Sequence, residues 1–433
     1  MIAEHDSLSV HVAAIDSRVL VTLFKNYGGS LVYAMVRARQ VLPVGLDQML
    51  FHAPRDTASS LASVPDHLNW LVDGGTPELP VACGPAIDIH GRRWEDLERH
   101  YADSESTTPS MGSVRDGRIL GRQLSVLTSR GDVILDCSPM LRAATKPGFG
   151  NPTDPAEHRT LRRYVWLPPP RRLRGSVAVV GCAGAGNYYH WLIDALPRLI
   201  ALRDSGKFRA SDYVAVPRSS LPAIHESLAL LGIDRDRIVS FGRWTQVQAD
   251  QVLVASATSH LIGPTSTTVS GLRRSFRDSG DHLSVGKTWT SVPTSEEKSI
   301  VATHSPGAKS GRRLLIIRRS TRAFQRSDAV VAALKPFGFE PVCLDGMRFT
   351  DQIVLFSSAR AVVGVHGAGL ANIVWCSPGT RLLECYPSNY LNPCFRSLSA
   401  ASGMLHSFIV SKVDRQGSLE VDLLGLSRWA QST

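Results

Sequence analysis

The sequence has no CxxC pair among its seven cysteines, Cys83, Cys137, Cys182, Cys343, Cys376, Cys385 and Cys394. An odd, scattered set, partly inside apolar runs such as "LECYP", argues against a zinc or disulfide framework. It reads as buried thiols in a reducing compartment. There is no run of about 18 apolar residues, so no membrane span is expected. The start "MIAEHDSLSV" has neither a basic n-region nor an apolar h-region, and no signal peptide is expected. No G-x-S-x-G nucleophile elbow exists, which sets a hydrolase low even though "HGAG" resembles an esterase oxyanion loop. "GDHLSVGKT", Gly280 to Thr288, has one residue too many for a Walker A loop and lies in a polar, Ser/Thr/Gly-rich stretch. "GCAGAG", Gly181 to Gly186, spaces its glycines G-x-x-G-x-G rather than G-x-G-x-x-G. No acid ends a second strand about 20 residues on, so a nicotinamide-dependent oxidoreductase is only a minor alternative.

What is present is a chain of 433 residues, long enough for two or three domains. Hydrophobic content of 43% with 20% charged residues is that of a globular protein able to bury sizeable cores. The formal charge of +10 favours anionic partners: nucleic acid, a membrane surface or phosphorylated substrates. Nucleic acid is set aside, because no aromatic platform or DNA-binding module is interleaved with the arginines. The expected location is cytoplasmic, with a basic surface suited to peripheral contact with the inner membrane. The arginines of "LRRYVWLPPPRRLRG" read as a solvated surface. Those of "GRRLLIIRRSTRAFQR" bracket a strand.

Four stretches follow from patterning: an N-terminal extension of unassigned role (1–110), a first α/β domain (111–275), a linker or mobile loop (276–311) and a second α/β domain (312–433). Within the first, "DHLNWLVDGG" suggests a short helix closed by Gly74 and Gly75, and "SRVLVTLFKNY" a strand. "RILGRQLSVLTSRGDVILDC" reads as two strands joined at Ser129 to Asp132, and "LPPPRRLRG" as a connector. From "SVAVVGCAGAG" onward, strands alternate with helices in the rhythm of a parallel sheet. "SDAVVAALKPFG" reads as a helix capped by Ser327. Two α/β domains about a linker predict a cleft, with ligands at the carboxyl ends of strands.

Two segments carry candidate chemistry. In "AVVGVHGAGLANIVWCSPGTRLLECYP" a buried strand ends at His366, Gly367, Ala368 and Gly369, and a helix is predicted to start at once. Small residues there admit a phosphate to the backbone amides, and His366 could donate to it. Asn372 falls in the first helical turns, and Glu384 ends the next strand, placed to accept from ribose hydroxyls. In "GNYYHWLIDALPRL", His190, Asp194 and Arg198 follow at steps of four and share one helical face, just after Asn187. The alternative is a core helix with a structural ion pair and a cap by Asn187. "DRD" at Asp234 to Asp236 formally matches a metal-holding D-x-D but reads better as a solvated loop.

Together "NYYHWLIDALPRL", "LLIIRRSTRAFQRSD" and "DQIVLFSSARAVVGVHGAGLANIVWCSPGTRLLECYP" resemble glycosyltransferase family 61. That group includes bacterial capsular-polysaccharide proteins and eukaryotic xylosyl- and N-acetylglucosaminyltransferases. The resemblance covers roughly residues 115 to 390. It departs where the family has an Asn-Glu pair after the basic stretch; here Ser327 and Asp328 stand. The resemblance implies a GT-B-like fold: two Rossmann-like domains facing a cleft, acceptor on the first, nucleotide-sugar on the second, inversion of the anomeric centre and no metal. From the residues themselves, His190 or Asp194 is the expected base, with Asn187, Arg198, Arg318, Arg319, His366, Gly367 to Gly369, Asn372 and Glu384 as the expected substrate- or donor-binding residues. A nucleotide-sugar-binding protein without catalysis is the leading alternative.

Overall fold

The computed structural model describes residues 34–41, 52–73, 83–98, 110–138, 158–164, 166–167, 169–180, 184–209, 212–256, 264–277, 311–318 and 322–433. The expected strand in "SRVLVTLFKNY", Gly74 and Gly75, the Gly181–Ala183 part of "GCAGAG", "GDHLSVGKT", most of the linker and Arg319 lie outside the described residues. Two open sheets with flanking helices form the α/β architecture.

In the first sheet, Arg171–Val179, Tyr213–Pro217 and Ile238–Phe241 run parallel in that spatial order. Gln246–Ala255 returns to the other side of Arg171–Val179, also parallel to it. The strand order therefore reverses beside Arg171–Val179, and the turn leaving that strand leads into Gly184–Asn187. The second sheet follows the order Phe339–Cys343, Arg312–Ile317, Ala359–Val365, Arg381–Pro387, Leu405–Val413, all parallel, with Leu419–Glu420 antiparallel at the edge. Its reversal lies between Arg312–Ile317 and Ala359–Val365. In open sheets the crevice outside such a reversal is where ligands sit.

Several sequence expectations are corrected. "DHLNWLVDGG" contains a strand, Leu68–Asp73, antiparallel to Ser110–Arg115. Leu68, Trp70 and Val72 are half-buried while Asn69 and Leu71 are exposed, which is the period of two of a strand. The predicted hairpin is three strands, Arg118–Leu120, Ser125–Leu127 and Asp132–Ile134. An extra turn at Gly121 to Leu124 divides it, with positive φ at both ends. The "RRLRG" arginines belong to a strand, not a connector. They pair with Gln246–Ala255 across an irregularity near Gly175, and Arg172 donates to both Asp116 and Asp250. Arg171, Arg172 and Arg174 are exposed, as is the whole of Asp234 to Asp236. The helix Ser327–Leu334 begins at Ser327; the cap position is Arg326, and the Ser327 hydroxyl donates to the Phe324 carbonyl.

The extension 1–110 is not a separate body where it is described. Asp56–Ala58 and Leu68–Asp73 join the first sheet. Residues 83–98 pack on the second, with Ala86 and Leu97 against Tyr386 and Phe408. The two halves also share a core. One continuous apolar cluster includes Trp191, Leu196 and Leu253 from the first half and Leu314, Ile353 and Trp375 from the second. The helix Ser266–Leu272, continued as a wider turn over Arg273–Arg277, spans the junction. There Phe276 meets Phe349 and Trp375 edge-on.

Candidate functional site

The helix after the first sheet's glycine turn opens with a π-turn, His190–Ala195, and continues as an α-helix over Leu196–Asp204. Pro197 lacks the amide that would bond one α-turn back, and a widened turn directly before it relieves the clash of its ring. Such π-turns recur at functional sites. Here the widened turn carries the His190–Asp194 pair, Nδ1 to Oδ2 at 2.6 Å. His190 keeps partial exposure while Asp194 is almost fully buried. A buried carboxylate that accepts from Nδ1–H fixes the ring's tautomer and leaves Nε2 as the nitrogen able to take a proton.

Gly184 lies against this ring: a Cβ there would stand 2.7 Å from a His190 ring carbon. The space this glycine opens thus holds imidazole, not a pyrophosphate. Asn187 acts at the helix start. Its side-chain oxygen accepts from the Tyr189 amide at 2.9 Å and its carbonyl from Trp191. Arg198, the third member of the stripe, is 1% exposed, close enough to Cys137 for its charge to act on that thiol. The α-helix beyond the π-turn carries it into the interior.

In the second sheet, Arg318 leaves the end of Arg312–Ile317 on one side of the strand-order reversal. Gly367 follows Ala359–Val365 on the other. The Arg318 guanidinium rests where a Cβ of Gly367 would be. Burial, then the nearby charge of Arg322, lower the Arg318 pKa from its ordinary value; Asp345 acts the other way. The site therefore concentrates positive charge in a half-buried place, which an anion would relieve.

Residues 368–375, expected as an α-helix, are a run of 3₁₀ turns, Ala368–Trp375. Asn372 is fully buried and saturated. It accepts from Tyr188 Oη at 2.6 Å and Trp375 Nε1, and donates to Gln352 and the Gly369 carbonyl. It braces the loop from beneath. Glu384 is likewise fully buried, its two oxygens taken by His366 Nδ1 at 2.5 Å and His406 Nε2 at 2.8 Å. Burial pushes this carboxyl up, but the two imidazole hydrogen bonds together outweigh it and hold its pKa below the ordinary value. Glu384 thus orients His366 and is spoken for by the protein itself.

An aromatic chain joins the two halves. The Tyr189 ring lies edge-on to both His190, at 5.4 Å, and Phe395, at 5.5 Å. Phe395 meets His366 at 5.1 Å, and Tyr386 and Tyr390 complete the His366 surround at 5.2 and 5.4 Å. Arg322 sits 5.3 Å over the Tyr390 ring. Half-buried Cys394 has its thiol raised well above the ordinary value by burial first, then by the carboxylates of Glu384 and Asp194.

The structure therefore brings together His190, Asp194, His366, Gly367 and Arg318, with Ala368 and Gly369 half-buried beside them. It uses Asn187, Asn372 and Glu384 in support and encloses Arg198. Sequence reading missed Tyr188, Tyr189, His406, Arg322 and Phe395. The doubled tyrosine before His190 was a local signal; His406 had none, since only strand register sets it beside Leu382 and within reach of Glu384.

Residues 188–383 match the family model Glycosyltransferase 61. An α-1,3-arabinosyltransferase of Oryza sativa subsp. japonica is 36% identical over 80 residues, 17% of this chain and 14% of that protein. A β-1,2-xylosyltransferase of the same organism is 38% identical over 53 residues, 12% of this chain and 10% of that protein. The chain thus spans only a small part of the length of these curated relatives. The matched region holds the His190 pair, Arg318 and the His366 loop, and in it the chain is similar to glycosyltransferase family 61.

Proposed function

We propose that the protein is an inverting glycosyltransferase of GT-B type, moving a sugar from a nucleotide-sugar to a hydroxyl of a glycan acceptor. The first sheet takes the acceptor and the second the donor. The observation that carries this is the Arg318 guanidinium laid on Gly367 at the second sheet's reversal, next in the chain to His366, whose ring contacts run through Phe395 and Tyr189 to the His190–Asp194 pair. A polysaccharide-building role is what the resemblance to bacterial members of the family implies.

Inverting transfer is one in-line displacement through an oxocarbenium-like state, similar in charge to glycoside hydrolysis. The acceptor oxygen bonds to the anomeric carbon as the bond to the diphosphate breaks. The acceptor proton passes to His190 Nε2, and Asp194 steadies the imidazolium. The bond pair leaves with the diphosphate, which rests on the Gly367 to Gly369 amides with Arg318 and His366 beside it. These groups neutralise the leaving charge without a metal. Each preorganised contact of this kind is worth about 2.7–4 kcal/mol of barrier, or roughly 10² to 10³ in rate.

A thermal-shift panel of nucleotide-sugars tests the donor, followed by transfer assays with the best binder. His190→Ala and Asp194→Asn should each lower transfer by at least about 10² while nucleoside-diphosphate affinity and melting temperature stay near wild type. Loss of fold in both would assign the pair to structure instead.

A further inference from the structure

We propose that the carboxyl-end rim of the first sheet, from Gly186 to Trp244, is a ledge for an extended anionic glycan, so that the acceptor is an acidic polysaccharide. This rests on the glycosyltransferase reading and adds the acceptor's chemical class.

The parallel strands Tyr213–Pro217 and Ile238–Phe241 end side by side, with the Arg218 amide donating to the Phe241 carbonyl at 2.8 Å. The next residues form a turn that carries Trp244, 54% exposed. This indole is mounted, not loose. Tyr164 meets it edge-on at 5.6 Å, and the Tyr164 hydroxyl donates to the Arg243 carbonyl at 2.6 Å. A large ring held rigidly in water forgoes its own burial and offers a flat apolar face.

Three exposed guanidinium groups line the same rim. Arg243 lies 5.0 Å from the Trp244 ring centroid. Arg218 approaches the place of a Gly242 Cβ to 3.7 Å, and Arg122 that of a Gly186 Cβ to 3.1 Å. The Gly121 amide donates to the Thr245 carbonyl, and the Ser219 hydroxyl to that of Gly186, so the rim is continuous. It begins at the turn that leads into the His190 helix.

A sugar ring presents an axial C–H face that lies flat on an indole, while guanidinium forks match carboxylate or sulfate oxygens. A neutral chain would use the indole and leave the three charges unanswered. A nucleic acid would need successive rings to stack its bases, and among the described residues the rim carries one exposed indole beside its three charges.

The test uses the full chain and measures binding of polygalacturonate and dextran sulfate against size-matched neutral dextran and oligo-deoxythymidine. Both acidic polymers are expected to bind, more weakly as salt rises. Trp244→Ala and the double variant Arg218→Ala/Arg243→Ala should each weaken them on the order of tenfold, Trp244→Phe less so, with melting temperature and nucleoside-diphosphate affinity unchanged. Equal binding of neutral dextran, tighter binding of the oligonucleotide, or variants that bind like wild type would overturn the ledge. If nucleoside diphosphates bind and the acidic polymers do not, only this inference falls. If wild type binds no nucleoside diphosphate, the glycosyltransferase reading falls with it.

Discussion

Gly367 shows how a single missing side chain can place a charge. Its backbone is extended, with φ 170°, so alanine fits the main chain without strain. What alanine cannot do is share space with the Arg318 guanidinium. That group is the far end of a flexible side chain and swings away at little cost to the fold. Gly367→Ala should therefore lower nucleoside-diphosphate affinity about as much as Arg318→Ala, roughly tenfold or more for a lost charge-assisted contact, with a nearly unchanged melting temperature. The double variant should be no worse than either single one, since both remove the same contact. Isothermal titration decides it; additive losses would separate the two residues. Glu384 gives a second residue-scale case. Its folded pKa is depressed, so its stability contribution is full above the ordinary value near 4.5 and is lost as pH falls through the folded value. Glu384→Gln cannot titrate and leaves two buried imidazoles badly partnered. It should be less stable at neutral pH by about 3–5 kcal/mol, yet lose less on going from pH 5 to 3, as denaturant unfolding at each pH would show. From sequence, Glu384 seemed placed for ribose hydroxyls; His406, on the adjoining strand, was the part that strand register hid.

At the scale of elements, parallel strands were readable because each is a short apolar run closed by a turn signal, as in "DYVAVP" and "RAVVGV". Elements set by tertiary partners were not. The segment Ala368–Trp375 looked helical from its composition, but it runs as 3₁₀ turns, and inside it the Asn372 side chain bonds within its own half and also accepts from Tyr188 of the first. The four-residue spacing of His190, Asp194 and Arg198 did place two members together. The third was lost because the stripe crosses from a π-turn into an α-helix that enters the core. These two elements meet through Tyr188, whose hydroxyl donates to Asn372 Oδ1. Tyr188→Phe keeps the ring and removes that donor, while Trp375 Nε1 still reaches the same oxygen. The stability cost should be about 1 kcal/mol. If this bond sets the His190 turn relative to the donor loop, the turnover rate should fall more than donor affinity does. A variant with lower melting temperature and unaltered turnover would make the bond structural only.

For the whole molecule, sequence patterning suggested two α/β domains about a linker, and two sheets are there. They also share packing. The apolar cluster that buries Trp191 and Leu196 is the same one that buries Leu314 and Trp375, beside the separate cluster that each half keeps on its own sheet. Arg273 ties the junction: its guanidinium donates to the carbonyls of Val374, Cys376 and Ser402, all from the second half. A boundary drawn at residue 275 cuts this helical segment, since composition cannot tell a linker from the last turns of a helix that docks on the next sheet. Cooperative units follow shared cores, not sheet counts. Thermal unfolding should therefore show one transition, with calorimetric and van't Hoff enthalpies agreeing and probes of Trp191 and Trp375 melting together. Arg273→Ala, which strips three buried carbonyls of one donor group, should lower that single midpoint by several degrees, given about 1–3 kcal/mol for unsatisfied groups. Two resolved transitions in the wild type would show that the halves fold separately and that the shared cluster is only an interface between them.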